Sequence, residues 1–176
     1  MTHLCVLTAN YLASAKQRRT AVIEWNGHGD FDRMERICRS RERTGEKKEK
    51  NLFKALGVTY YKQGEACTLA GCMDGTFDEI VIDFGEATRD SMREWQRCQV
   101  KMVTAALGEW QLEEAFGMME QGSRLGKSWI FLAAFGSEWT RREIKGRLGL
   151  TVHRIPFSAD AFRIDNAMIN WFQGIL

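Results

Sequence analysis

Apolar residues follow two alternating periods along this chain. Short continuous or β-branched apolar runs predict about six strands, at residues 20–25, 58–61, 77–84, 100–106, 129–134 and 151–155. Apolar residues at helical spacing predict helices between them, at residues 1–15, 52–56, 87–98, 109–121, 139–148 and 161–172. This alternation predicts a single α/β domain over residues 1–176, with a doubly wound, mostly parallel sheet and helices on both faces.

Two stretches do not follow the alternation. Charges of both signs alternate over residues 33–50, which indicates a solvated helix face or a mobile loop rather than a nucleic-acid arm. Residues 64–75, which contain Cys67 and Cys72, are typical of a loop. No second Cys or His pair has the spacing of a zinc site, so we interpret these two cysteines as structural thiols.

The composition argues against some partners and compartments but does not identify a function. The net charge is +2, which favours neither nucleic acid nor a membrane surface as a partner. No apolar run is long enough to span a bilayer, and the first fifteen residues lack the basic start of a signal peptide. Five cysteines without such a signal indicate a reducing compartment, so we expect a cytoplasmic protein.

Candidate chemistry lies where the predicted strands end, because ligands of parallel sheets bind at the carboxyl ends of the strands. The strand at residues 20–25 carries Glu24 and is followed by Asn26, and the strand at residues 77–84 carries Asp83. An acid after four apolar residues is a common way to hold Mg²⁺ near a phosphate, but it is also a common helix cap. His28 and His153 are interpreted as a solvent-exposed loop residue and a strand residue.

Several segments, in order, resemble the ParA/MinD-type P-loop ATPases of the deviant Walker class. The chain begins with a helix similar to the one that follows the family's Gly-rich loop, and its acidic strands are similar to the family's early strand and Walker B strand. The segments that carry the resemblance are 1–13, 20–30, 80–83, 101–106, 130–134, 147–150 and 155–160.

The resemblance implies a P-loop NTPase-like fold, ATP and Mg²⁺ as cofactors, and a homodimer. It implies Thr2 and Asp83 as magnesium ligands, with Pro156 also contributing to nucleotide binding. It further implies Glu24 and Asn26 as the pair that faces the attacking water.

The chain departs from the family pattern in ways that argue against ATP turnover. The Gly-rich loop and its lysine are not among these 176 residues, and Asn26 stands where the family has an acid. The family's adenine-reading Asn is replaced at Ala134 and Phe135. We therefore expect little or no hydrolysis from residues 1–176. Two explanations remain open, a product truncated at an internal Met, which we favour, and a short paralogue that has lost the enzyme.

Two hypotheses follow. The first is a ParA/MinD-like nucleotide-binding domain, inactive in hydrolysis. The second is a non-catalytic protein-interaction or regulatory module on the same fold, for which aromatic residues near helix ends could supply the contact surface. Those residues are Trp95, Trp110, Trp139 and Trp171. Core packing is the competing interpretation for most of them, and the stripe at residues 109–121 predicts that Trp110 faces inward.

Overall fold

The computed structural model describes residues 1–41, 49–86, 88–123 and 129–176. These residues form two compact units, which are described separately. The first unit comprises Met1–Met92 with Ala159–Gly174 and Leu176, and the second comprises Arg93–Ser158 with Ile175. The single domain over residues 1–176 stays a prediction. Most of the charged stretch at residues 33–50 lies outside the described residues.

The first unit is built around four strands in the order β2-β3-β1-β4. Strand β1 pairs in parallel with both β3 and β4, while β2 pairs antiparallel with β3. Its elements in chain order are α1 (Thr2–Ser14), β1 (Thr20–Glu24), α2 (Asp30–Arg41), β2 (Leu52–Ala55), β3 (Val58–Tyr61), α3 (Ala66–Met73), β4 (Glu79–Asp83) and α7 (Asn166–Gln173), together with the first residues of α4 (Arg89–Arg97).

Helix α1 is the most enclosed helix of this unit. All residues from Leu4 to Tyr11 are buried, because the helix packs against β1 and β4 on one side and contacts α7 as well. Apolar and small residues surround the whole helix rather than one stripe, which is typical of a helix without a solvent face. The ring of Tyr11 stacks on Phe172 of α7, with ring centroids 4.6 Å apart.

The helix predicted at residues 52–56 is wrong, because these residues form strand β2 of a hairpin with β3. Phe53 and Ala55 point into the core while Lys54 is exposed, which is the two-residue period of a strand. Leu56 and Gly57 form the turn with positive φ of 49° and 78°, the region that tight hairpin turns require. A five-residue apolar run is too short for its period to separate helix from strand.

The second unit contains three parallel strands in the order β5-β6-β7. Its main buried cluster is apolar and includes Leu107, Met119 and Ile144, each fully buried, and the polar residues Thr140 and Lys101 are buried as well. The elements are most of α4, then β5 (Lys101–Leu107), a short 3₁₀ turn (Glu109–Gln111), α5 (Leu112–Ser123), β6 (Trp129–Gly136), α6 (Glu138–Leu148) and β7 (Val152–Arg154).

Both ends of helix α6 are defined by specific residues. The Ser137 hydroxyl accepts a hydrogen bond from the backbone N–H of Thr140 at the start. Gly149 ends the helix with a φ of 67°, a left-handed conformation that glycine adopts without strain. The predicted stop at Gly149 is confirmed.

Three further predictions need correction. Residues predicted as a loop at 64–75 contain helix α3, and the last helix begins at Asn166 rather than near residue 161, because Asp165 caps it by accepting from Met168 N–H. Trp110 does not face inward: it is 85% exposed. The α/β class with mostly parallel strands is confirmed.

Candidate functional site

Two buried acids meet at the carboxyl ends of neighbouring strands in the first unit. Glu24 ends β1, Asp83 ends β4, and the two residues are register partners across the parallel pair. Glu24 is 1% exposed and Asp83 is fully buried. Buried carboxylates are expensive unless they are hydrogen-bonded or bind a ligand, so the partners of each oxygen decide what the site can do.

One oxygen of Asp83 is satisfied and the other is not. Oδ1 accepts a hydrogen bond of 3.0 Å from the backbone N–H of Gly85. Oδ2 is buried and accepts no hydrogen bond from the residues that the structure describes. The thiol of Cys5 is a weak donor beside the same carboxylate: burial, the charge of Asp83 and a hydrogen bond to Asp83 all raise the pKa of that thiol. Asp83 therefore offers a buried carboxylate oxygen to a ligand.

The contact with Cys5 places the first turn of α1 beside Asp83. Thr2 lies three residues before Cys5, so it is on the same side of the helix one turn earlier. Its hydroxyl donates to Oδ2 of Asp30, at 3.1 Å, and the other oxygen of Asp30 accepts from Arg33 at 2.8 Å. The structure thus links Thr2 to Asp30, at the start of α2.

Glu24 acts as a cap for helix α2. Its Oε1 accepts from the backbone N–H of Asp30 at 2.7 Å, and its Oε2 accepts from that of Phe31 at 3.4 Å. Burial raises the pKa of Glu24, and the charges of Asp30 and Asp83 raise it further, while the two N–H donors oppose the rise. Both oxygens are thereby engaged with the backbone, so the water-facing role of Glu24 stays a prediction.

Asn26 connects the two strand ends. Its side-chain N–H donates to the backbone carbonyl of Asp83 at 2.9 Å, and its Oδ1 accepts from the backbone N–H of His28 at 3.0 Å. Gly85 has a φ of 63°, and a side chain there would meet the His28 ring and Asn26 at 3.1–3.2 Å. The loops after β1 and β4 therefore pack closely against each other where the two strands end.

The fit of Mg²⁺ to this site depends mainly on Asp83. Among the described residues, no group of three or more His, Cys, Asp or Glu side chains could hold a metal by itself. Protein Mg²⁺ sites commonly use one or two carboxylates, with phosphate and water completing the shell. The unsatisfied Oδ2 of Asp83 fits that pattern as one ligand, and the Thr2 hydroxyl fits as a second if it leaves Asp30.

The remaining candidates are described by their own elements. Pro156 follows β7 in the second unit and is half-buried. His153 lies within β7, while Cys67 is exposed on α3 and Cys72 is buried on the same helix. Sequence reasoning placed Asp30 at the start of the helix that follows the loop, but it missed the contact of Asp30 with Thr2, the contact of Cys5 with Asp83, and Gly85. The sequence offered one signal for this arrangement. Gly85 lies two residues after Asp83, and a glycine there leaves room for the loop after β1.

The α/β fold of the described residues is similar to that of ParA- and MinD-type proteins. The chain is similar to a ParA family ATPase from Chlorobium tepidum TLS, with a TM-score of 0.62, 14% identity, and coverage of 92% of this chain and 81% of that one. It is also similar to a chain of the MinC:MinD cell division protein complex of Aquifex aeolicus, with a TM-score of 0.54, 14% identity, and coverage of 88% and 76%. No protein-family model and no curated protein matches the sequence.

None of the helices in the described ranges combines the length and the apolar character needed to cross a membrane.

Proposed function

We propose that this chain is a nucleotide-binding domain of the ParA/MinD type that binds ATP with Mg²⁺ and does not hydrolyse it. The observation that carries the proposal is the buried, unsatisfied Oδ2 of Asp83 beside the first turn of α1. The similarity of the fold to that of a ParA family ATPase also supports the proposal. The cytoplasm stays the expected compartment.

Each residue has a separate part in binding. Asp83 supplies a fixed carboxylate oxygen, held in place because its other oxygen is hydrogen-bonded to Gly85. Thr2 supplies a hydroxyl at a helix N-terminus, where exposed N–H groups and the helix dipole favour an anion. When Mg²⁺ is bound, it neutralises charge on the phosphates. Asn26 and Gly85 keep the loops after β1 and β4 close together.

The same contacts disfavour hydrolysis. Activating a water requires a base that can take its proton. Both oxygens of Glu24 accept backbone N–H groups, and Asn26 carries an amide that cannot act as a base. The described residues also provide no lysine in the Thr2–Asp83 network, so we expect binding weaker than micromolar.

Titration of the ¹⁵N-labelled chain with Mg-ATP, followed by NMR, tests this proposal. We expect saturable shifts at the backbone amides of Asp83, Gly85 and the first turn of α1, and phosphate release at the background rate. The isosteric Asp83→Asn variant should lose the shifts. Asp74→Asn is the matched control, because Asp74 is exposed at the end of α3. Micromolar affinity, shifts that survive in Asp83→Asn, or Asp83-dependent phosphate release would contradict the proposal.

A non-catalytic interaction module remains the second candidate, and the strong exposure of Trp110 and Trp139 favours it. One of the similar structures is itself part of a complex between two proteins. Asp83→Ala separates the candidates. It should abolish every nucleotide effect under the first proposal, and it should leave binding to a protein partner intact under the second.

A further inference from the structure

The hydroxyl of Thr2, which is a ligand in the proposed function, is already engaged with an acid of another helix. It donates to Asp30 Oδ2 at 3.1 Å, across 28 positions of the chain. A hydroxyl has a single proton to donate. While that proton is directed at Asp30, it is not available to a phosphate oxygen, and the hydrogen bond fixes the Thr2 side chain towards the start of α2.

Asp30 is itself held in place by two further contacts. Its other carboxylate oxygen accepts from Arg33 at 2.8 Å, and its backbone N–H donates to Glu24 Oε1 at 2.7 Å. Hydrogen bonds to an ionised group are stronger than those between neutral groups. The carboxylate therefore faces Thr2 in a fixed orientation, and breaking the contact has a cost.

The carboxylate of Asp30 lies at the start of helix α1, where a helix attracts negative charge. The first turn of α1 contains no acid of its own. The exposed N–H groups and the dipole of a helix favour an anion at this end. A phosphate would use the same attraction and would also be repelled by the carboxylate at short range. Asp30 and a phosphate therefore compete for the Thr2 hydroxyl and for the start of α1.

The surroundings of Asp83 provide a second, independent observation. Oδ2 of Asp83 is buried without a hydrogen-bond partner in the part of the chain that the structure describes. Most buried polar atoms have such a partner. Cys5 of α1 contacts Asp83, whereas the hydroxyl of Thr2, one turn earlier on the same helix, donates to Asp30 instead. Asp30 thus keeps the hydroxyl of the candidate site away from the unsatisfied acid of that site.

We propose that Asp30 is a positioning residue that lowers the affinity of the site for phosphate groups by holding Thr2. The proposal rests on the nucleotide-binding function proposed above. Rotation of the Asp30 side chain frees Thr2, while Glu24 continues to hold the backbone at the start of α2. Binding of Mg-ATP has to break the hydrogen bond between Thr2 and Asp30, so removal of the Asp30 carboxylate strengthens binding.

NMR titration of the full chain with Mg-ATP, giving a dissociation constant for each variant, tests this proposal. We expect Asp30→Ala to bind about tenfold more tightly than the wild type, because a hydrogen bond to a charged group no longer has to be broken. Asp30→Asn keeps an acceptor oxygen and loses only the charge, so it should gain less. The matched control is Asp32→Ala, which removes an acid from the same turn of α2. Asp32 pairs with Lys62 instead, so this variant should bind as the wild type does.

A double-mutant cycle with Thr2→Val shows whether Asp30 acts through Thr2. Valine has the shape of threonine but cannot donate a hydrogen bond, so Asp30→Ala should strengthen binding much less in this background. In the protein without nucleotide, the methyl signal of Thr2 should shift in Asp30→Ala and stay unchanged in Asp32→Ala. Circular dichroism of each variant confirms that it is folded.

The outcomes separate this proposal from the one on which it rests. If the wild type binds Mg-ATP and Asp30→Ala binds no more tightly, or if Asp32→Ala gains as much, Asp30 does not restrain the site and only this proposal is overturned. An equal gain in the Thr2→Val background would also overturn it, since Asp30 would then act through its charge alone. If neither the wild type nor any variant binds Mg-ATP, the nucleotide-binding proposal is overturned and this one with it.

Discussion

The carboxyl ends of the two sheets differ in where they place their unusual residues. In the first unit, charged and polar groups are buried: Glu24 and Asp83 end adjacent strands with almost no exposure. In the second unit, the main buried cluster is apolar, although Thr140 and Lys101 are also buried, and large aromatic side chains are exposed near the strand ends. Buried charge is costly unless a ligand or hydrogen bonds compensate it, and exposed aromatic area is costly unless a partner covers it. We therefore propose a small-ligand site in the first unit, and the second candidate function, a protein-interaction module, rests on the second unit.

The first unit also contains a buried ion pair away from this site. Lys62 Nζ lies 2.5 Å from Glu35 Oε2, and both side chains are about 97–98% buried. Lys62 further donates to the backbone carbonyl of Lys50 at 3.2 Å, and Glu35 accepts from Arg39. These contacts, together with the favourable charges of Lys62 and Arg39, lower the pKa of Glu35 although burial acts in the opposite direction.

Lys62→Met should have the largest effect on stability, a loss of about 3–5 kcal/mol, because it leaves Glu35 buried with only part of its compensation. Urea denaturation measures the change. Arg33→Met breaks an exposed pair with Asp30 and should cost no more than about 1 kcal/mol. Equal losses of unfolding free energy in the two variants would contradict the claim that the buried ion pair stabilises the fold more than the exposed pair does.

The sequence predicted most strands and helices, because long runs with a clear period are decided by local pattern. It failed at residues 52–56 and at Trp110 for different reasons. The short run carries no usable period, and the 3₁₀ turn before α5 shifts the helical stripe so that Trp110 falls outside it.

The site was predicted in part. The sequence predicted the positions of Asp83 and Glu24 because each of them ends an apolar run. It did not predict that the two carboxylates have different hydrogen-bond partners. Whether a carboxylate caps a helix or remains unsatisfied depends on the packing of loops and helices from distant parts of the chain. Glu24 meets the start of α2, whereas Asp83 meets Cys5 of α1. No spacing within the sequence encodes that difference.

Gly136→Ala should destabilise the second unit by about 1–3 kcal/mol or more. Gly136 has a φ of 136°, and an added Cβ would lie 2.5 Å from the Leu107 Cβ and 2.7 Å from its carbonyl oxygen. Gly146→Ala, in helix α6 with open space around it, should instead stabilise by about 0.5–1 kcal/mol. Thermal unfolding of both variants is the measurement. A neutral Gly136→Ala would contradict the close packing of Gly136 against Leu107.

Glu24→Gln should produce the smallest change, visible in pH dependence. The raised pKa of Glu24 means that the folded state holds this proton more tightly than the unfolded state. Its contribution to stability is therefore fully present below the ordinary glutamate pKa and is lost as pH rises through the folded value. The free energy of unfolding of the wild type, relative to Glu24→Gln, should fall as pH rises from acid to neutral. A constant difference would contradict a raised pKa, and Glu65→Gln, at an exposed acid, is the control.

The most direct test of the account is an NMR titration with Mg-ATP of the wild type, Asp83→Asn and Asp74→Asn. We predict saturable shifts at the backbone amides of Asp83 and Gly85 in the wild type and in Asp74→Asn, and loss of these shifts in Asp83→Asn. If Asp83→Asn bound Mg-ATP as the wild type does, the assignment of ligand binding to the buried acid would be contradicted.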